Sequence, residues 1–242
     1  MRPLSAPEIL DVWERGQTQN PVERAMAMLS AGCPEAPHDQ LEALSIGERD
    51  ALLLQLRELT LGGTLEGFAR CPSCVEPLEF AMAASELQGG EAGLAPLELE
   101  TDGFRVEFRL PDSRDVAAAA AMPDLLMARG ELASRCIMQL TRNGAVAQAG
   151  ELPEFVIASM GERMAECDPR AEVLLSLSCP SCRHAWQELF DIASFFWAEL
   201  AAEARRVLWQ VHALARAYGW RESDILALSA RRRSAYLEMV GA

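Results

Sequence analysis

Two observations predict an α+β fold in which a mostly helical body is closed by a small β element. The tetrapeptide Cys71-Pro72-Ser73-Cys74 returns verbatim as Cys179-Pro180-Ser181-Cys182, and each copy follows a short strand-like segment. Most of the remaining chain carries apolar residues at helical spacing behind N-terminal capping signals. Two Cys-x-x-Cys turns together supply the four thiolates of a tetrahedral zinc site. The β element therefore reads as zinc-ribbon-like, with one structural Zn2+ per chain held by Cys71, Cys74, Cys179 and Cys182. The 104 residues between the knuckles make such a site a fastener of segments distant in sequence. The organisation that follows is an N-terminal helical region over 1–64, the zinc-ribbon element with an inserted hairpin and helices over 65–190, and a C-terminal helical region over 191–242.

In chain order, Ser5-Ala6-Pro7-Glu8 is a capping box, followed by an apolar face of Ile9, Leu10, Val12 and Trp13. Asn20-Pro21-Val22-Glu23 repeats it with proline at the first helical position, and Gly32 stops that helix. Cys33 to Gln40, with two prolines and His38, reads as a polar loop. Ser45-Ile46-Gly47-Glu48 opens a third helix, through Leu52, Leu53, Leu56 and Leu59, that ends at Gly62-Gly63. Leu65 to Ala69 and Pro77 to Ala81 are strands on either side of the first knuckle, while Gln88 to Ala95 reads as a glycine-rich loop. Strict alternation over Leu97–Glu100 and Phe104–Leu110 around Asp102-Gly103 is the clearest hairpin signal.

Asp112 to Gln139 reads as helical with a break at Pro123, and Asn143-Gly144 as a turn. Pro153 to Glu166 is an amphipathic helix, and Glu172 to Ser178 a strand that delivers the second knuckle. The aromatic cluster from Trp186 to Trp197 reads as core. A long helix runs from about Asp191 to Tyr218 and stops at Gly219. Ser223 and Ser229 are read as caps of two final helices, the last carrying Tyr236, Leu237 and Met239 on one side.

Composition narrows the chemistry. Half of the 242 residues are hydrophobic, so the chain can fold around a real core, and the net charge is −14 at pH 7. Every basic residue is arginine. Residues 203–242 balance at +3, which leaves −17 on the rest. An acidic body repels nucleic acid, so proteins are the expected partners. No apolar run reaches the roughly 18 residues of a membrane span, and the N-terminus lacks a secretory signal, so a cytoplasmic location without membrane contact is expected. Cys33, Cys136 and Cys167 read as ordinary thiols. A redox dithiol expects a single motif at a helix N-terminus. His184, two residues past Cys182, either replaces a thiolate, donates to a ligand sulfur or packs on the knuckle. His212, near Trp209, reads as partly buried and structural. There is no phosphate loop, nucleophile elbow or paired-histidine metal motif. The expectation is a protein that is not an enzyme and takes no small-molecule substrate. A nucleic-acid-associated zinc-ribbon regulator is the alternative.

A family resemblance adds to this. Cys179-Pro180-Ser181-Cys182-Arg183-His184-Ala185-Trp186, Phe196-Trp197-Ala198-Glu199-Leu200, Tyr218-Gly219-Trp220 and Arg231-Arg232-Arg233-Ser234-Ala235-Tyr236-Leu237 resemble the T4-type phage baseplate hub assembly family. Relatives of that family occur in phage-tail-like contractile injection systems, and Leu52 to Cys74 looks similar too. The resemblance implies a non-enzymatic assembly protein or chaperone whose partners are baseplate or hub proteins, cytoplasmic or built into a tail particle. It points to Tyr218, Trp220, Arg231, Arg232 and Tyr236 as partner-binding residues.

Overall fold

A computed structural model describes residues 1–87, 97–148, 150 and 152–241. It shows a mixed helix and strand chain in which helix dominates. The glycine-rich stretch from Gln88 to Ala95 lies outside the described residues.

Reciprocal capping hydrogen bonds start the N-terminal helices. The Asn20 side chain accepts from the Glu23 N–H at 3.0 Å, and the Asn20 N–H donates to the Glu23 carboxylate at 2.9 Å, opening α2 (Pro21–Gly32). Before α1 (Ala6–Gly16), the Ser5 N–H donates to the Glu8 carboxylate at 2.9 Å. The polar loop after α2 contains a short helix, α3 (His38–Glu42), which begins directly after Pro37, so His38 is helical rather than in a loop. The N-terminus of α4 (Ile46–Leu61) shows where distant chain converges. Its Ile46 N–H reaches the Pro111 carbonyl at 3.2 Å, its Gly47 N–H the buried Asp168 carboxylate at 2.9 Å, and its Glu48 N–H the Ser45 hydroxyl at 3.2 Å. Three donors that no helix can satisfy internally are thereby occupied.

Two hairpins follow the same plan. Strands β1 (Thr64–Arg70) and β2 (Pro77–Ala83) pair antiparallel around the first knuckle. Further on, β3 (Glu98–Thr101) and β4 (Phe104–Phe108) turn at Asp102 and Gly103, whose φ values of 44° and 79° suit the twist of a tight hairpin. Asp112 caps α5 (Ser113–Ala120) by accepting from the Arg114 and Asp115 N–H groups. Helix α6 (Leu125–Cys136) stops earlier than the helical pattern predicts. Ile137 begins β5 (Ile137–Arg142), which pairs with β4 and with β6 (Ala145–Val146) around Asn143-Gly144. The open edge of β4 overrides the helical spacing: Leu140 pairs with Val106 and both are buried. The sheet order is β3-β4-β5-β6.

After α7 (Glu154–Cys167), strand β7 (Val173–Ser178) enters the second knuckle and β8 (Ala185–Phe190) leaves it, paired residue for residue. Helix α8 (Ile192–Tyr218) ends at Gly219, whose φ of 69° is the left-handed C-terminal cap. Ser223 lies inside α9 (Glu222–Leu226) rather than capping it, because the chain enters that helix at Arg221. Ser229 does cap α10 (Ala230–Val240), accepting from the Arg232 N–H. On α10 the inward residues are Arg233 and Leu237, one turn apart, and Met239 faces outward. His212 is exposed on α8, as is Trp209.

Two cores result. The larger draws on both ends of the chain: α1, α2 and α4 pack around α8 through Val12, Met28, Leu29, Leu53, Phe196 and Leu200. The inner faces of both knuckle hairpins join it through Leu65, Leu175 and Leu177, with Trp186 and Phe190 packed against them. The smaller core lies between the four-stranded sheet and α6–α7, around Phe104, Val106, Phe108, Leu140 and Met160. The buried carboxylate of Asp115 ties this sheet to its helices, accepting from Arg109 at 2.6 Å and from Arg135 at 3.0 Å. Burial alone raises Asp115, but Arg109, the Asp112 backbone and Arg135 outweigh it and hold the carboxyl at about 2. No helix among the described residues is long and apolar enough to cross a membrane.

Candidate metal centre

The two knuckles are built alike. In the first, the Val75 N–H donates to the Cys71 carbonyl at 2.9 Å, and the Cys71 N–H to the Glu76 carbonyl at 3.0 Å. In the second, Arg183 donates to the Cys179 carbonyl at 2.9 Å and Cys179 to the His184 carbonyl at 2.9 Å. Val75 and Arg183 sit at φ of 62° and 63°, the same left-handed step directly after the second cysteine of each turn. A branched or long side chain adopts that conformation only at a cost of about 1–2 kcal/mol, and two backbone hydrogen bonds close each turn around it.

The register of the hairpins brings the turns together. Leu65, Gly67 and Ala69 face Met82, Phe80 and Leu78 on the inner side of β1–β2, with Leu175 and Leu177 inward on the other hairpin. Gly67 is needed for this: a Cβ there would lie 2.2 Å from the Phe80 ring. With the inner faces packed, the four thiols meet at the shared tip, every Sγ within 4.8 Å of the others. Cys71 lies 3.6 Å from Cys182, and Cys74 lies 3.5 Å from Cys179. Four sulfurs held about 2.3 Å from a central ion stand about 3.8 Å apart in a tetrahedron. A disulfide needs about 2.05 Å. The spacing therefore fits a four-thiolate metal site. The first cysteine of each knuckle is buried and the second exposed.

Electrostatics agree with the geometry. The backbone N–H groups of Cys182 and Ser181 outweigh burial and pull the Cys179 thiol down to about 7. The Glu76 backbone lowers Cys74, but Cys182, burial, Cys179 and Cys71 together push it up to about 12. Four thiols this close cannot all ionise without a cation between them. His184 is not part of the cluster. Its imidazole is exposed and stacks on Trp186 at 6.2 Å, and its backbone carbonyl is the part that serves the knuckle. The other cysteines lie apart: Cys136 is buried at the end of α6, where burial and then Asp115 push its thiol up to about 12.

The five residues suggested as partner-binding lie at the other end of α8. Tyr218 and Trp220 stack at 4.6 Å, and Tyr236 meets Trp220 edge-on at 4.9 Å. Arg231 and Arg232 are exposed in the first turn of α10. Arg216 and Arg221 flank the same rings along the chain. The run of arginine beyond residue 203 was the signal available for them.

Fold and site together define a mixed helix and strand protein whose two cysteine knuckles converge into one potential metal clasp. A family model described as T4 bacteriophage base plate protein matches residues 8–197, and the chain belongs to that family. The matched span includes both knuckles and ends at Trp197, so the Tyr-Gly-Trp and Arg-Arg-x-x-Tyr-Leu features of the resemblance lie beyond it. No curated protein and no solved structure matches the chain.

Proposed function

We propose that this phage baseplate protein is a non-enzymatic assembly protein or chaperone of the baseplate hub in a contractile phage tail or phage-tail-like injection system. It works by protein–protein contacts in the cytoplasm and, if retained, in the finished particle. Its two hairpins form a zinc-ribbon element closed by one structural Zn2+ on Cys71, Cys74, Cys179 and Cys182. The observation that carries this reading is the family match across residues 8–197, which spans both hairpins and most of the larger core. Zinc follows from the donor set: soft thiolates in a four-sulfur tetrahedron are its usual structural ligands, and four protein ligands leave no position for a substrate.

The surroundings of the clasp favour protein over nucleic acid. Glu66, Glu76, Glu79 and Glu188 are exposed there, and Arg70 is occupied over the Phe68 ring at 5.8 Å. The test is to purify tails from cells lacking this chain and examine them by electron microscopy. Tubes and sheaths without baseplates are expected, with mass spectrometry of wild-type particles separating a retained subunit from a departing chaperone. Normal baseplates in its absence would overturn the reading.

A further inference from the structure

The arginines of this chain divide by position. Ten of the fifteen from Arg2 to Arg183 form salt bridges among the described residues. Arg24, Arg70 and Arg142 instead lie over aromatic rings. Of the seven from Arg205 onward, only Arg206 is ion-paired among the described residues, to Glu203 at 2.7 Å. Buried Arg233 is spent on neutral acceptors, the Gln210 side chain at 2.9 Å and the Leu228 carbonyl at 2.6 Å. Arg216, Arg221, Arg231 and Arg232 are exposed without a carboxylate among the described residues, although Glu222, Asp224 and Glu238 are close in sequence. A chain with 36 acidic residues does not lack carboxylates to pair them with. These four lie near the rings Tyr218, Trp220 and Tyr236 along the chain, whereas exposed Arg205, also without a carboxylate among the described residues, lies further back on α8 and exposed Arg183 lies at the second knuckle.

We infer that this end of the molecule is the docking surface for an acidic segment of a partner protein. Guanidinium groups take carboxylates in a two-pronged geometry, and the rings offer a rigid platform for an apolar side chain lying between them. Nucleic acid would offer anions and stacking faces too, but as a polyanion it would meet a body of charge −17 next to a tip of +3. An acidic segment confined to the tip avoids most of that repulsion. The inference rests on the reading of this chain as a protein that acts by contact, and it does not depend on the metal.

The test uses the full metal-loaded chain, a fluorescein-labelled glutamate-rich peptide containing leucines, and the double variant Arg231→Glu, Arg232→Glu. Binding of the peptide should weaken with salt and fall roughly tenfold in the variant. Glutamate in the first turn of α10 suits the helix dipole better than arginine, so the variant's melting temperature should hold or rise, which excludes misfolding as the cause. Equal binding by wild type and variant overturns the inference. An oligonucleotide of matched charge binding more tightly than the peptide assigns the surface to nucleic acid and overturns it as well. Self-association on sedimentation that the variant abolishes assigns it to a second copy, with the same consequence. If the chain is required for baseplates yet ignores the peptide, this inference fails and the proposed function stands.

Discussion

The chain contains β structure of two kinds, and they are stabilised differently. The sheet β3-β4-β5-β6 has four strands and its own pair of covering helices, and it buries Phe104, Val106, Phe108, Leu140 and Met160 in a private core. The knuckle hairpins β1–β2 and β7–β8 are two-stranded, and the sides of them that face away from the core carry exposed Phe68, Leu174 and Leu189. An isolated two-stranded hairpin is marginal in water. Each reaches the larger core through its inner face, and beyond that contact their tips meet at the four cysteines. The four-cysteine cluster thus falls where local burial is thinnest. The sheet that can bury itself carries no cysteine cluster among the described residues.

The largest effect should come from removing the clasp. Chelation, or Cys179→Ser, withdraws binding energy on the order of 10 kcal/mol, comparable to the whole stability of a domain. Circular dichroism should then show loss of the hairpins and weakening of the larger core, whereas retention of native melting would show that the hairpins stand without metal. Phe108→Ala is the mirror experiment. It opens a cavity in the smaller core and should lower stability by about 3–5 kcal/mol while metal content stays at wild-type level. If zinc is lost with it, the two β regions are coupled rather than independently stabilised.

Asp115→Asn sharpens the comparison from the electrostatic side, with an expected loss of about 2 kcal/mol at neutral pH. The Asp115 carboxyl is held at about 2 against an ordinary value of 3.8, so its contribution is full above pH 3.8 and fades as pH falls toward 2. The difference in unfolding free energy between wild type and variant should therefore shrink over that window, and a constant difference down to pH 2 would refute the assignment. Val75→Gly and Arg183→Gly should have the smallest effect. Glycine relieves the positive φ but adds unfolded-chain entropy, so stability should shift by less than about 1 kcal/mol with metal binding kept. A large loss of zinc in either variant would mean that those side chains, not only their backbone, shape the site.

Much of this was legible in the residues because it is local. Capping at Ser5, Asn20, Ser45 and Ser229, the Asp102-Gly103 hairpin and the helix stop at Gly219 are each decided within a few positions. What sequence reading missed was decided by partners far along the chain. β5 exists because the edge of β4 needed a neighbour, which no window around Ile137 reveals. β8 was missed although the verbatim repeat of the knuckle implied a second strand leaving it, as β2 leaves the first. At the candidate site the four cysteines were evident from spacing, whereas the identity of the ring-flanking arginines depended on how α8, α9 and α10 fold back. Asp168 under the N-terminus of α4 had no sequence signal, since its partner Gly47 lies 121 residues away.

We propose that the two identical turns share one metal. X-ray absorption at the zinc edge on the purified full-length chain, with metal content measured on the same sample, tests it most directly. One zinc per chain in a shell of four sulfurs at about 2.3 Å is expected. A folded, metal-free protein with Cys74 and Cys182 freely reactive, or a shell containing a nitrogen from His184, would contradict it.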